Sequence, residues 1–139
     1  MPTPRKAVTS LLALAALAAC GGATGGPGGG GASEEEDDVR FVMSDLQAAS
    51  RDGDGDRICN EIFTPKLANS ITSASKHGSC AKEVEENLFA PDVRIVVDDV
   101  RIDDPTNATA VVKEYNGNVS RVLLAKQGGD WRIRSVQPG

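Results

Sequence analysis

The chain has 139 residues, of which 40% are apolar and 25% are charged, and this balance suits one small globular domain. The formal net charge is −5, and because the first 19 residues contribute two cations and no acid, the remainder stands at −7. That charge disfavours nucleic acid and anionic lipid head groups as partners. Aromatic residues make up only 4% of the chain, so the core must consist mainly of Val, Ile, Leu and Ala.

The N-terminal segment, residues 1–19, has the features of a signal peptide. Arg5 and Lys6 precede an apolar run of 13 residues, AVTSLLALAALAA. As a helix this run would reach only about 20 Å, which is shorter than the roughly 30 Å core of a bilayer. We therefore expect the segment to direct export and then to be removed.

The segment LAAC, Leu17 to Cys20, resembles the lipobox of bacterial lipoproteins. In that family the cysteine thiol receives a diacylglyceryl group, and cleavage before the cysteine leaves a lipidated N-terminal residue. The resemblance implies that Cys20 is lipidated and that the lipid holds the exported protein at a membrane of the cell envelope. The alternative is ordinary secretory cleavage after the ALA at residues 16–18, which would release a soluble protein.

The three cysteines leave one unpaired residue in an exported chain. Lipidation accounts for Cys20, so Cys59 and Cys80 are predicted to form a disulfide in the oxidising compartment. Residues 20–33 consist of Cys20 and the Gly-rich stretch GGATGGPGGGGAS, which has no large apolar side chain. This stretch is predicted to be a flexible tether, and residues 34–139 are predicted to be the folded domain.

The folded domain is predicted to begin with a helix. Ser33 followed by Glu36 fits a capping box, and the acidic run EEEDD favours the positive end of a helix dipole. Apolar residues then recur on one helical face, namely Val39, Val42, Met43, Leu46 and Ala49. The helix is expected to run to about Ser50, and Gly53 and Gly55 are expected to break it.

The stretch RDGDGDRICNEIF after this helix carries three aspartates on alternate positions and invites comparison with a calcium loop. An EF-hand loop needs oxygen ligands at positions 1, 3, 5, 7, 9 and 12, with glycine at position 6. With Asp52 at position 1, Arg57 stands at position 6 and Phe63 replaces the closing glutamate at position 12. The preferred interpretation is a joint between helices in which Asp54 or Asp56 caps the second helix.

Three shorter helices are predicted after the first one. Thr64 and Pro65 are typical of the cap and first residue of a third helix, and Ser79 of the cap of a fourth. The buried faces are predicted to be Ile58, Cys59 and Ile62 in the second helix and Cys80, Val84 and Leu88 in the fourth.

From Pro91 onwards the apolar period changes to two, which predicts strands. A change of parity between Val97 and Val100 indicates a β-bulge or a sharp bend in the first strand. Two further strands are predicted at residues 108–115 and 118–126, joined by a two-residue NG turn, and WRIRSV forms the last. Helices followed by strands define an α+β domain with short N-terminal helices on a strongly bent antiparallel sheet of about four strands.

The sequence thus contains, in this order, short helices, a Gly-Asp turn, a spaced cysteine pair, a bent meander and a terminal GGDWRI. This order is similar to that of nuclear transport factor two-like and SnoaL-like domains. The likeness covers roughly residues 36–138. It implies a cystatin-like cone in which helices wrap the concave face of the sheet and leave a cavity. Some members use this cavity for small apolar molecules, whereas others bind partner proteins or form homodimers through the back of the sheet.

Enzymatic members of that family need an aspartate base with oxyanion donors, or a His–Asp pair, converging inside the cavity. Neither set can be matched to this sequence. His77, the only histidine, lies in the Ser- and Gly-rich stretch SASKHGSC, where exposure is expected. No catalytic residue, no metal ligand and no cofactor is therefore assigned.

Three residues are candidates for a pocket: Glu114, Arg121 and Trp131. A two-residue turn would pair Glu114 with Val119 and place Arg121 diagonally across the same face. The two charges would then be polar groups of the cavity if that face is concave, and an exposed ion pair if it is not. Trp131 is interpreted as a core residue, with the floor of a pocket as the alternative.

Three functions are consistent with these features. The preferred one is a lipid-anchored binding or accessory domain at the cell envelope, without enzymatic activity. The alternatives are a small-molecule enzyme of the SnoaL type and a calcium-responsive envelope protein. The expected partners are a membrane, through the lipid on Cys20, and a small apolar ligand, an envelope protein or a second copy of the chain bound through the sheet, but no nucleic acid.

Overall fold

The computed structural model describes residues 33–89 and 94–139. The predicted signal peptide, Cys20 and the tether up to residue 32 lie outside the described residues. The domain begins with the helices α1 (Glu34–Asp52), α2 (Gly55–Arg57), α3 (Pro65–Ala74) and α4 (Cys80–Glu83). Single π-helical turns, Ile58–Ile62 and Val84–Leu88, directly follow α2 and α4.

Four strands form the second half of the domain: β1 (Ile95–Asp104), β2 (Asn107–Glu114), β3 (Val119–Gln127) and β4 (Asp130–Pro138). They pair in the order β1-β2-β3-β4 as an antiparallel meander that is curled but not closed. The predicted α+β class is thereby confirmed. The register of β1 against β2 shifts between Val97 and Asp99, which confirms the predicted β-bulge.

The first helix follows the signals in its sequence. The Ser33 hydroxyl accepts a hydrogen bond from the Glu36 amide at 3.2 Å, as a helix cap does. The face predicted to be apolar turns inward, with Val39, Met43, Leu46 and Ala49 buried. The helix ends at Gly53, whose φ of 66° lies in the left-handed region that glycine adopts most easily.

The joint after α1 packs tightly against α4. The Asp54 carboxylate accepts a hydrogen bond from the Arg57 amide at 3.0 Å and so caps α2. Gly55 is buried, and a Cβ atom on it would lie 2.4 Å from the carbonyl oxygen of Ala81. The predicted disulfide between Cys59 and Cys80 is present and links the π-helical turn after α2 to α4.

The core lies between the helices and the concave face of the sheet. The largest fully buried side chains are Met43, Ile58, Leu124, Ile133, Val39 and Val84. A backbone hydrogen bond also joins the helical half of the domain to the sheet. The Thr64 amide donates to the carbonyl oxygen of Ile133 on β4 at 2.8 Å. The prediction that Leu88 is buried is wrong, since 48% of it is exposed. Leu88 ends the π-helical turn and lines an open cavity between the helices and the sheet, which leaves part of its side chain exposed.

Among the helices in residues 33–89 and 94–139, none combines the length and the apolar character that crossing a membrane requires.

Candidate functional site

An apolar cavity of about 710 Å³ opens between the helices and the concave face of the sheet. Its floor consists of five buried side chains: Met43, Leu46, Phe63, Val112 and Val122. Its walls include four half-buried apolar side chains: Leu67, Ile71, Phe89 and Ile95. A floor and walls of this kind can surround an apolar ligand and keep water away from it.

The mouth of the cavity lies at the end of the sheet where β2 turns into β3. Glu114 is half-buried there, and its carboxylate accepts a hydrogen bond from the Asn116 side-chain amide at 3.1 Å. Tyr115 stands at the turn with 88% of its surface exposed. The polar residues that line the cavity are Asn87, Arg94, Glu114, Tyr115, Asn116 and Ser120.

The prediction that Glu114 and Arg121 share a face is wrong. The β2–β3 turn holds three residues, 115–117, and is closed by a hydrogen bond from the Glu114 amide to the Asn118 carbonyl at 2.9 Å. This turn pairs Arg121 with Val111, one position away from the predicted register. Because a shift of one residue moves a side chain to the other face of a sheet, Arg121 is exposed behind the sheet while Glu114 lines the cavity.

Trp131 belongs to the core near the opposite end of β3, as the preferred interpretation predicted, and only 4% of it is exposed. It is not among the residues that line the cavity. Its indole N–H donates to one carboxylate oxygen of Glu35 at 2.7 Å, and the Lys126 ammonium donates to the other at 2.7 Å. These hydrogen bonds connect the first turn of α1 to the β3–β4 hairpin.

The same contacts change the acidity of Glu35. The hydrogen bond from Lys126, followed by that from Trp131, holds the pKa of Glu35 below its ordinary value because both favour the charged carboxylate. A lowered pKa in the folded state means that the ionised carboxylate contributes to stability above the ordinary glutamate pKa of about 4.3. This contribution is lost as the pH falls through the lower pKa of the folded state.

Replacing this carboxylate, Glu35→Gln, is expected to destabilise the domain at neutral pH and to have little effect in strong acid. Glutamine can still accept from Trp131 but cannot form the ion pair with Lys126. Urea unfolding between about pH 7 and about pH 2 measures the difference between the two chains. Glu34→Gln, which removes an exposed acid from the same helical turn, controls for the helix dipole. A difference between Glu35→Gln and wild type that stayed constant over this pH range would contradict the assignment.

His77 is exposed, as predicted. Its Nε2 atom lies 3.0 Å from a carboxylate oxygen of Glu86, and it does not line the cavity. The three aspartates at residues 52–56 lie at the joint between α1 and α2, where the Asp54 carboxylate accepts a hydrogen bond from the Arg57 amide. In the two described stretches, no three His, Cys, Asp or Glu side chains are grouped closely enough to hold a metal ion.

The residues that build most of the cavity were not among the sequence-based candidates. Leu67 and Ile71 are four positions apart on α3, a helix with no fully buried residue. This spacing shows that they share a helical face, but it does not distinguish a cavity wall from a packed core. Phe89 and Ile95 lie in segments whose approach to α3 depends on the tertiary fold.

The comparisons with known proteins concern the fold. No protein-family model matches this chain, and no curated protein matches it significantly. A solved structure of an NTF2-like protein of unknown function from Shewanella baltica OS155 is similar, with a TM-score of 0.52 and 15% sequence identity. The similarity covers 78% of this chain and 100% of that protein. At this identity the likeness shows the fold alone, and the domain has the α+β cone fold of NTF2-like (nuclear transport factor two-like) proteins.

Proposed function

We propose that this chain is a lipid-anchored domain of the bacterial cell envelope that binds a small apolar molecule in its cavity. The observation that carries the binding proposal is the cavity itself, which has a volume of about 710 Å³, an apolar floor and an open mouth. Cavities of about 300–1,000 Å³ with mostly apolar linings are the usual sites for small ligands.

The positions of the ionisable groups favour binding over catalysis. Among the described lining residues, Glu114 is the one carboxylate and Arg94 the one guanidinium, and the floor consists of apolar side chains. General acid–base catalysis needs groups that converge on the reacting atoms of a bound substrate. A SnoaL-like enzyme is the second candidate because Glu114 is half-buried in the cavity lining, and Glu114 would then be its base.

The anchoring part of the proposal is supported by the N-terminal sequence. The apolar run, the lipobox-like LAAC ending at Cys20 and the Gly-rich stretch together are typical of a lipidated, tethered domain. A tether confines the domain near the membrane and raises its effective concentration toward ligands and partners there, without any new contact.

A substitution in the cavity wall tests the binding proposal. Leu67→Trp is expected to weaken binding of the uncharged apolar probe N-phenylnaphthylamine by about tenfold or more, because the indole would occupy space in the cavity. Leu67 is half-buried on α3, so the added volume can be accommodated toward the cavity while the domain stays folded. Fluorescence titration measures the affinity, and circular dichroism verifies the fold of each variant.

Leu123→Trp is the matched control for this experiment. Leu123 is also half-buried, but it alternates along β3 with the buried Val122 and Leu124 and therefore lies on the other face of the sheet. The control should bind the probe as wild type does. The binding proposal fails if wild type binds no apolar probe, or if a folded Leu67→Trp chain binds N-phenylnaphthylamine with wild-type affinity.

A further inference from the structure

The polarity of the cavity changes with depth. The five floor side chains are all apolar, and each is at most 5% exposed. The six polar lining residues are instead half-buried or exposed, and they share the outer part of the cavity with two exposed apolar residues, Leu88 and Val136. Four of them, from Glu114 to Asn116 and Ser120, lie at or beside the β2–β3 turn. An apolar group therefore gains most from the floor, and a polar group can keep hydrogen bonds only at the mouth.

The mouth offers hydrogen bonds more than net charge. Arg94 and Glu114 carry opposite charges, so their net charge favours neither an anionic nor a cationic head group. Ser120 is half-buried and lines the cavity beside the β2–β3 turn. Its hydroxyl can both donate a hydrogen bond to a ligand and accept one from it.

Resting on the proposed binding function, we propose that the natural ligand is an uncharged amphiphile that binds with its apolar body on the floor and its polar head at the mouth. The ligand class is a molecule with one elongated apolar part and one hydrogen-bonding end, such as a monoacylglycerol or a long-chain alcohol. The floor around Met43 and Leu46 receives the apolar end. Ser120 and the side chains of the β2–β3 turn receive the polar end.

Intermolecular NOEs on the labelled protein test this orientation directly. The probe is monododecanoyl glycerol, which has an uncharged polyhydroxyl head and one alkyl chain. The terminal methyl of the chain should give NOEs to the side chains of Met43 and Leu46, and the glycerol protons should give NOEs to Tyr115 and Asn116. Glycerol protons next to the floor, or a terminal methyl found only near Tyr115, would overturn the proposed orientation.

A hydroxyl deletion at the mouth gives an independent readout. Ser120→Ala is expected to weaken binding of monododecanoyl glycerol by about threefold to tenfold, because the hydrogen bond between the serine hydroxyl and the glycerol head is lost. Ser135→Ala is the control, since Ser135 is half-buried and pairs with Leu123 on the other face of the sheet. Equal affinity of wild type and Ser120→Ala for the glycerol ester would overturn the role of Ser120.

The two proposals fail in distinguishable ways. Binding of N-phenylnaphthylamine without binding of monododecanoyl glycerol would overturn the ligand class and leave the binding function standing. Failure of both probes to bind would overturn the binding function, and the amphiphile proposal with it.

Discussion

Removing the disulfide by the double substitution Cys59→Ala and Cys80→Ala is expected to lower the free energy of unfolding by about 3 kcal/mol. The bond joins residues separated by 21 positions, and on the chain-entropy model closing a loop of this length constrains the unfolded chain by that amount. For a small domain, whose total stability is of the order of 5–15 kcal/mol, this is a large share. Urea unfolding of the oxidised wild type and of the double variant measures the difference.

Two further chains separate the disulfide from other effects of losing a cysteine. Wild type reduced with dithiothreitol should unfold at nearly the same urea concentration as the double variant, because both lack the bond. Cys20→Ala should unfold like oxidised wild type, because Cys20 precedes the folded domain in the sequence. A double variant as stable as oxidised wild type would refute a stabilising role of the disulfide.

The elements of the fold could be predicted because their signals are local. Ser33, Thr64 and Ser79 each cap the helix that follows, as their sequence context indicated. The parity change near Val97 located the bulge in β1, since the period of a strand is two. Such signals depend on a few neighbouring residues and are independent of how the elements pack.

Features that depend on packing could not be predicted from sequence. Gly55 was expected only to break a helix, but it also allows the backbone of α4 to approach closely at Ala81. The β2–β3 turn was expected to hold two residues, Asn116 and Gly117, but it holds three. The extra turn residue shifts the pairing of β2 with β3 by one position and so places Arg121 on the other face of the sheet. Local turn preferences are too weak to fix a register that side-chain burial also determines.

The candidate site was the least predictable part of the domain. Its apolar lining comes from α1, α3 and the strands, segments that the fold brings together across long stretches of sequence. A half-buried wall residue such as Leu67 has the same sequence pattern as a core residue, so a cavity leaves no signature of its own. Glu114 was identified through its predicted diagonal pairing with Arg121, although the observed register places the two residues on opposite faces.

Cys20→Ser is expected to abolish attachment of the protein to the membrane, if Cys20 carries the lipid as proposed. Serine is similar in size to cysteine, but it has no thiol to form the thioether with a diacylglyceryl group. In a bacterial host that processes lipoproteins, wild type should partition into the detergent phase after phase separation and should incorporate a labelled fatty acid. The Cys20→Ser chain should do neither.

The disulfide variant provides the control for this experiment. The Cys59→Ala, Cys80→Ala chain lacks two cysteines but keeps Cys20, and lipidation at an N-terminal signal should not depend on the stability of the domain. It should therefore still incorporate the fatty acid, which separates a specific role of Cys20 from a general effect of thiol loss. Fatty-acid incorporation into the Cys20→Ser chain, or a wild-type chain found only in the aqueous phase, would refute anchoring through Cys20. The second of these results would favour secretory cleavage after residue 18 and a soluble binding domain.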